Sequence, residues 1–243
     1  MANQQLYKPE NLLVLDIETV PQYQSFEQLP EPWKVLWTDK ISKTMPENFL
    51  PAEMYEQRAG IQAEFGKIIC ISTGFFYYDK AARLCFRLKS YAHEDEKQLL
   101  KDFSSTLENF YKTVPDFNFA GHNIKEFDIP YISRRMLINH LPLPSFMQFS
   151  GKKPWETNLI DTLQLWKFGD YKNYTSLKLL AAVLNVPTSK DDIDGSKVKD
   201  VYYVERNLKR IVDYCCKDVI SVAQIFLRFQ NLPLLPPENI FIA

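Results

Sequence analysis

The short run Asn11 to Asp16 (NLLVLD) is apolar from Leu12 through Leu15, ends in an acid, and is followed by a second acid at Glu18. So brief and branched an apolar stretch suits a strand buried at the centre of a sheet, with chemistry at the strand's end. If the extended geometry persists, Asp16 and Glu18 project to one side of it. Two carboxylates held together are costly without a cation, yet a D-x-E pair alone also reads as strand-end acids in solvent.

The patterns that follow predict partners for that strand. Lys67 to Tyr78 (KIICISTGFFYY) and Ala82 to Tyr91 (ARLCFRLKSY) are β-rich runs joined by the polar Asp79-Lys80, an antiparallel hairpin. Glu94 to Tyr111 repeats Leu99, Leu100, Phe103, Leu107 and Phe110 at helical spacing, with acids in its first turn. Phe117 to Ala120 is a further strand, Gly121 to Glu126 a strand-to-helix turn, and Phe127 to Ile138 a helix. Pro142, Pro144 and the Gly151-Lys152-Lys153-Pro154 stretch form a loop before Leu159 to Leu163. Ser176 to Leu184 then reads as a short helix stopped by Pro187, and Lys190 to Ser196 as a turn. Val201 to Phe229 is expected to be one long helix, and the last ten residues a docking tail. Residues from Pro21 to about Ala63 lack a clear period and read as an irregular, partly helical insertion, too small for a domain. The expectation is a single domain over 1–243, without internal repeats.

Composition narrows the function classes. Seven glycines include no GxGxxG or GxxxxGK[ST] pattern, which disfavours dinucleotide and P-loop enzymes. Cys70 and Cys85 stand alone and Cys215 and Cys216 are adjacent, so no thiolate pair has zinc spacing, and all four read as reduced core thiols. His93, His122 and His140 offer no i, i+4 pair, leaving oxygen-only metal chemistry. A formal charge of −1 argues against clamping duplex phosphates over the whole surface, so any nucleic-acid contact must be local. With no leader and no membrane-length apolar stretch, a soluble, cytoplasmic protein is expected.

Three motifs occur in order. Asp16-Ile17-Glu18-Thr19 resembles the first motif of proofreading exonucleases. Asn123-Ile124-Lys125-Glu126-Phe127-Asp128, preceded by Gly121-His122, resembles the second. Tyr214-Cys215-Cys216-Lys217-Asp218 resembles the third, Y-x3-D, whose spacing puts phenol and carboxylate on one helical face. The chain therefore resembles 3′→5′ exonucleases of the four-carboxylate superfamily in its tyrosine branch. It is similar to the exonuclease domains of family-B DNA polymerases and their free-standing bacterial counterparts, with which it shares Phe65-Gly66-Lys67-Ile68 and an Asp-Gly-Ser turn. In the sister branch a histidine stands five residues before the last acid; Asp213 is found there instead.

The resemblance implies an α/β, ribonuclease H-like fold: a mixed central sheet, antiparallel through its first three strands and then parallel, flanked by helices. It implies catalytic Asp16, Glu18, Asp128, Tyr214 and Asp218. The four acids would hold two divalent ions, Mg2+ or Mn2+, with Asp16 bridging, Glu18 and Asp218 completing one site and Asp128 the other, while Tyr214 orients water. Separately, Asp128 also reads as a helix N-cap, Tyr214 as a core phenol and Asp218 as a solvated acid. Thr19, Asn123 and Phe127 are candidate contacts to substrate, Asn123 equally a turn-stabilising amide and Phe127 suiting packing more. Asp161 reads as a cap rather than a further catalytic acid.

Trp166, Lys167, Phe168, Tyr171, Lys172 and Tyr174 interleave bases and aromatics as single-strand channels do, although core packing also explains such a set. Lys152, Lys153, Lys197, Lys199, Lys209 and Arg210 would add a rim if they converge. The implied activity is release of nucleoside monophosphates from single-stranded or frayed DNA 3′ ends. An exoribonuclease of the same branch and a non-catalytic nucleic-acid-binding module are the alternatives.

Overall fold

Strand β1 (Leu12–Pro21) runs through the middle of a six-stranded sheet in the computed structural model, which describes residues 7–46, 48–170, 172–187 and 193–243. Helices α1 (Glu31–Ile41) and α2 (Pro51–Arg58) follow, then the hairpin of β2 (Gly66–Tyr78) and β3 (Leu84–Ala92), and α3 (Glu96–Thr113). Next come β4 (Asn118–Gly121), α4 (Asp128–Ile138), β5 (Leu159–Asp161), α5 (Thr162–Lys167) and α6 (Leu177–Val183). Helices α7 (Val198–Tyr203) and α8 (Leu208–Phe229) and strand β6 (Ile240–Ile242) complete the chain.

The sheet order is β5-β4-β1-β2-β3-β6. β1, β2 and β3 are antiparallel; β4 and β5 run parallel to β1, and β6 parallel to β3. Alternation along β1 sorts the core: Leu13, Leu15 and Ile17 pack with α3 and α4, while Leu12 and Val14 pack with Val219, Val222 and Phe226 of α8. β1 is thus covered on both faces, as its apolar run requires.

Two expectations are corrected and a third is made specific. The first strand continues to Pro21, because β2 pairs with it as far as Gly66, so Asp16 and Glu18 lie within the strand and not at its end. Pairing with β4, however, stops at Val14, leaving the acids beyond the parallel ladder. The helix expected over Val201 to Phe229 is two: α7 ends near Tyr203, Arg206 takes a positive φ of 52°, and Asn207 caps α8 by accepting from the Arg210 N–H at 3.1 Å. The C-terminal tail docks as expected, but by adding β6 to the sheet edge.

Helices α1 and α2 close over a small cluster of Leu29, Trp37, Ile41, Met54, Tyr55, Ala59 and Phe65, so the insertion has a local core. It is tied to the body by the Tyr203 hydroxyl donating to the Pro21 carbonyl at 2.6 Å and by an ion pair between Lys199 and Glu56. Gly66 admits this junction. A Cβ there would stand 2.2 Å from the Tyr131 hydroxyl, which donates to the Gly60 carbonyl at 2.7 Å.

Beside that junction lies a buried ion pair. Glu96, in the first turn of α3, accepts from the Ile68 N–H at 2.7 Å, from Arg135 Nε at 2.9 Å and from Asn139 Nδ2 at 2.8 Å. Arg135 of α4 also donates to the Ala63 carbonyl at 2.9 Å and to Gln22 Oε1 at 3.2 Å. Removing one partner of such a pair strands the other charge in the interior, which costs about 3–5 kcal/mol. Arg135→Leu is accordingly expected to lower stability by about that much in urea unfolding. Glu96→Gln with Arg135→Met should recover part of the loss, since no buried charge then remains.

Candidate active site

Asp16 and Glu18 occupy β1 between Val14 and Val20, on the face that meets α8. Their partners across the ladder are Ser72 and Cys70, and the register shifts just after Glu18, so that Thr19 pairs with Ile68 and Ile69 is left over. Such a bulge increases local twist and re-aims the neighbouring side chains. Glu18 is 7% exposed, and no cation or hydrogen-bond donor reaches its carboxylate among the described residues.

Asp128 opens α4 and is buried, with Oδ1 accepting from the Ile17 N–H at 3.2 Å. That N–H lies beyond the last residue of β1 paired with β4, so the carboxylate takes the place of a missing strand. Tyr214 and Asp218, one turn apart on α8, approach from the other side and line a cleft of about 450 Å3 together with Asp16. The fold therefore brings together the four carboxylates and the phenol picked out from the sequence.

Electrostatics reflect the crowding. Burial first, then the charges of Asp128, Glu18 and Asp218, raise the Asp16 carboxyl well above the usual carboxylate range. Glu18 is raised by burial and by Asp218. Asp128 is pushed up to about 7, mainly by burial, although backbone hydrogen bonds oppose it. Burial and the charges of Asp218, Glu18 and Asp16 push the Tyr214 phenol up, so it stays a neutral donor. Carboxylates that repel one another in a buried site, one of them without a partner, are what a divalent cation satisfies, and the donor set fits one.

The second motif is shaped from outside it. Asp161, the N-cap of α5, accepts from the Leu163 N–H at 2.9 Å, from the Asn123 N–H at 2.9 Å and from the Lys125 N–H at 3.2 Å. It thereby holds the β4–α4 turn, in which Asn123 has a positive φ of 63°. The Asn123 Oδ1 atom is buried without a hydrogen bond, so its amide oxygen does not stabilise the turn. Phe127 packs on the core against Tyr131, with ring centroids 5.4 Å apart.

Two residues near the acids were not among the candidate site residues in the sequence, although Gly121-His122 precedes the second motif there. Cys215, read there as a core thiol, has Sγ 3.4 Å from both the main-chain oxygen and Oδ2 of Asp16. Its sulfur and the carboxylates of Asp16 and Glu18 offer atoms within 4.8 Å of one another. His122 lies 3.0 Å from Thr162 Oγ1 through Nδ1 and 2.9 Å from the Thr175 carbonyl through Nε2, tying the segment before α6 to the cleft. Burial lowers its pKa and keeps the imidazole neutral.

The outer candidates divide. Tyr174, 67% exposed, lines the cleft with Lys178 and Lys197, and Phe168 is 87% exposed at the end of α5. Trp166 instead packs on Phe229, and Tyr171 lies outside the described residues, as do residues 190–192 of the expected turn. The six cations do not form one rim. Lys199 pairs with Glu56, Lys209 with Asp213 and Arg210 with Glu205, while Lys153 sits over Trp155 and Lys152 lies by a different cleft.

A raised carboxyl pKa stabilises the fold below the ordinary value and loses that contribution as pH rises through the folded value. For Asp128 the window runs from 3.8 to about 7. Metal-free protein should therefore melt at a lower temperature at about pH 8 than at about pH 5, by several degrees at about 2–4 °C per kcal/mol. Asp128→Asn, which keeps the acceptor for Ile17, should flatten that slope in calorimetry. Saturating Mg2+ should raise the wild-type melting temperature at the higher pH.

The model of a family described as a predicted 3′-5′ exonuclease related to the exonuclease domain of PolB matches residues 61–233. The match contains Asn123, Asp128, Tyr214 and Asp218 and begins after β1, so Asp16 and Glu18 lie outside it. The family B DNA polymerase from the hyperthermophilic archaeon Pyrobaculum calidifontis is similar in structure at 15% identity, with a TM-score of 0.51 over 87% of this chain. The present chain spans only 23% of that polymerase, and likeness at this identity concerns the fold alone. No curated protein matches the sequence. On the family match, which takes in well over half of its length, the chain belongs to the predicted 3′-5′ exonucleases related to the exonuclease domain of PolB.

Proposed function

We propose that residues 1–243 are a single, metal-dependent exonuclease domain that hydrolyses the terminal phosphodiester of single-stranded or frayed DNA from its 3′ end and releases nucleoside monophosphates. The observation that carries this reading is the meeting of Asp16, Glu18, Asp128 and Asp218 beside a cleft that also exposes Tyr214. Asp16, Glu18, Asp128 and Asp218 are the residues that would hold Mg2+ or Mn2+. When bound, such ions supply the positive charge that activates water and stabilises the developing charge on phosphate. Tyr214, kept neutral, hydrogen-bonds and aims the attacking water. Asn123, with its unpartnered amide oxygen, and Thr19, next to the bulge, contact the terminal nucleotide. Phe127 packs on the core, which supports the packing role for it over contact with substrate.

The single-strand preference rests on the cleft's other wall. A chain of net charge −1 has little long-range attraction for a duplex, which carries one charge per about 1.7 Å. Exposed Tyr174 offers a ring for a base, and Lys178 and Lys197 offer cations for phosphates. Each stacked base would contribute about 1–3 kcal/mol with little sequence preference. Four buried free thiols accord with the cytoplasm as its place of work.

Initial rates on a labelled single strand, with and without Mg2+, test the reading. Asp16→Ala should abolish hydrolysis. Tyr214→Phe should slow turnover by about 10²-fold or more with unchanged substrate affinity, and Asp218→Ala should cost more. Tyr174→Ala should raise KM by about fivefold or more while sparing kcat. A single strand should be digested faster than a paired blunt end, and matched RNA more slowly than DNA. Cleavage of a circular single strand would refute the exonuclease reading.

A further inference from the structure

The turn between β4 and α4 separates the cleft just described, lined by His122, from a second one lined by Lys125 and Ile129. The second has a volume of about 520 Å3 and no part in the chemistry proposed above. Its floor is aliphatic, formed by Ile129, Leu137, Met147 and Leu159, and Leu137 remains 59% exposed in the open cleft. Its charged lining residues are Lys125, Arg134 and Lys152, with no Asp or Glu among them. In a chain of net charge −1, that is a local excess of one sign over an apolar surface.

A single nucleic-acid strand suits such a place poorly, because base stacking needs flat, accessible rings. The aromatic ring in this lining is that of Phe149, half-buried with Lys152 Nζ 5.8 Å from its centroid. A floor of branched and thioether side chains instead fits an aliphatic or phenyl anchor, and the cations around it fit carboxylates. The cleft also lies within the size range of sites that enclose a few side chains.

We propose that this cleft is a docking site for an acidic peptide segment of a partner protein. One bulky apolar side chain seats against Ile129, Leu137 and Met147, and flanking carboxylates meet Lys125, Arg134 and Lys152. Docking there engages the outer face of α4 and leaves the cleft at Asp16 open to substrate.

The probe is a fluorescein-labelled peptide, Asp-Asp-Glu-Leu-Phe, titrated with the full chain in EDTA and followed by anisotropy. Saturable binding that weakens with salt is expected, with a loss of roughly tenfold or more in Arg134→Glu/Lys152→Glu and in Leu137→Asp. These positions are exposed, so the variants should keep the wild-type melting temperature and nuclease rate. Lys-Lys-Lys-Leu-Phe and Asp-Asp-Glu-Ser-Ser should not compete. No saturable binding, equal binding by the variants, or displacement of the peptide by a short oligothymidylate would each overturn the proposal. The readout does not depend on nuclease activity, so its failure is distinct from failure of the exonuclease reading.

Discussion

The buried pair of Glu96 and Arg135 is the constraint on which the placement of α4 depends. Its hydrogen bonds reach β2 through Ile68, the end of the insertion through Ala63 and the chain just after β1 through Gln22. Two helices, an inner strand and two connecting stretches are thereby held at one point, in an interior where each donor and acceptor must be met. Asp128 stands at the other end of the same helix, about two turns away. Its carboxylate reaches the Ile17 N–H only if α4 keeps this angle and height against the sheet.

Topology does the rest of the gathering. β1 is flanked by a short parallel partner that ends at Val14 and a long antiparallel partner that continues to its last residue. Past Val14 the strand has an open side, and Asp128 fills it. The alternation that turns Leu12 and Val14 toward α8 also turns Asp16 and Glu18 toward it, so Tyr214 and Asp218 need only the helical period to join them. The acids meet because a strand period of two and a helix period of 3.6 both point at one line of contact. Beyond burial, the neighbouring acid charges that raise Asp16 and Glu18 are the electrostatic sign of that meeting.

Much of this was legible because periodicity and local chemistry agree. The hairpin, α3, β4 and α4 follow their apolar spacing, and Asp161 caps α5 as its place after a strand suggests. What escaped was decided by distant partners. β1 is long because Gly66 pairs with Pro21, which no pattern within NLLVLDIETVP records. The break at Arg206 interrupts a stretch whose apolar spacing runs on regardless, and only the positive φ and the Asn207 cap mark it. The C-terminal residues become a strand because β3 offers an edge to them. Cys215 meets Asp16 through the rotation of α8 on the sheet, which adjacency to Tyr214 in the sequence does not specify. The scattered lysines look alike in sequence, yet those at 199 and 209 are absorbed by acids while Lys197 faces the cleft.

The charge balance of the chain therefore says little about its surface. Near neutrality overall is the sum of an acidic centre, lysines on the wall across from it and a cationic cleft behind the turn. These fields differ in reach. Buried carboxylates interact strongly over a few ångströms, whereas exposed cations are screened within about 8 Å at physiological salt. The acidic centre would repel a polyanion if it acted alone, and a divalent cation held there would reverse that local sign. The exposed lysines would then need to act only on the phosphates next to the reacting one. An enzyme built this way, as proposed, would require no basic surface, and its preference would fall to substrates whose last nucleotides are already free to enter the cleft.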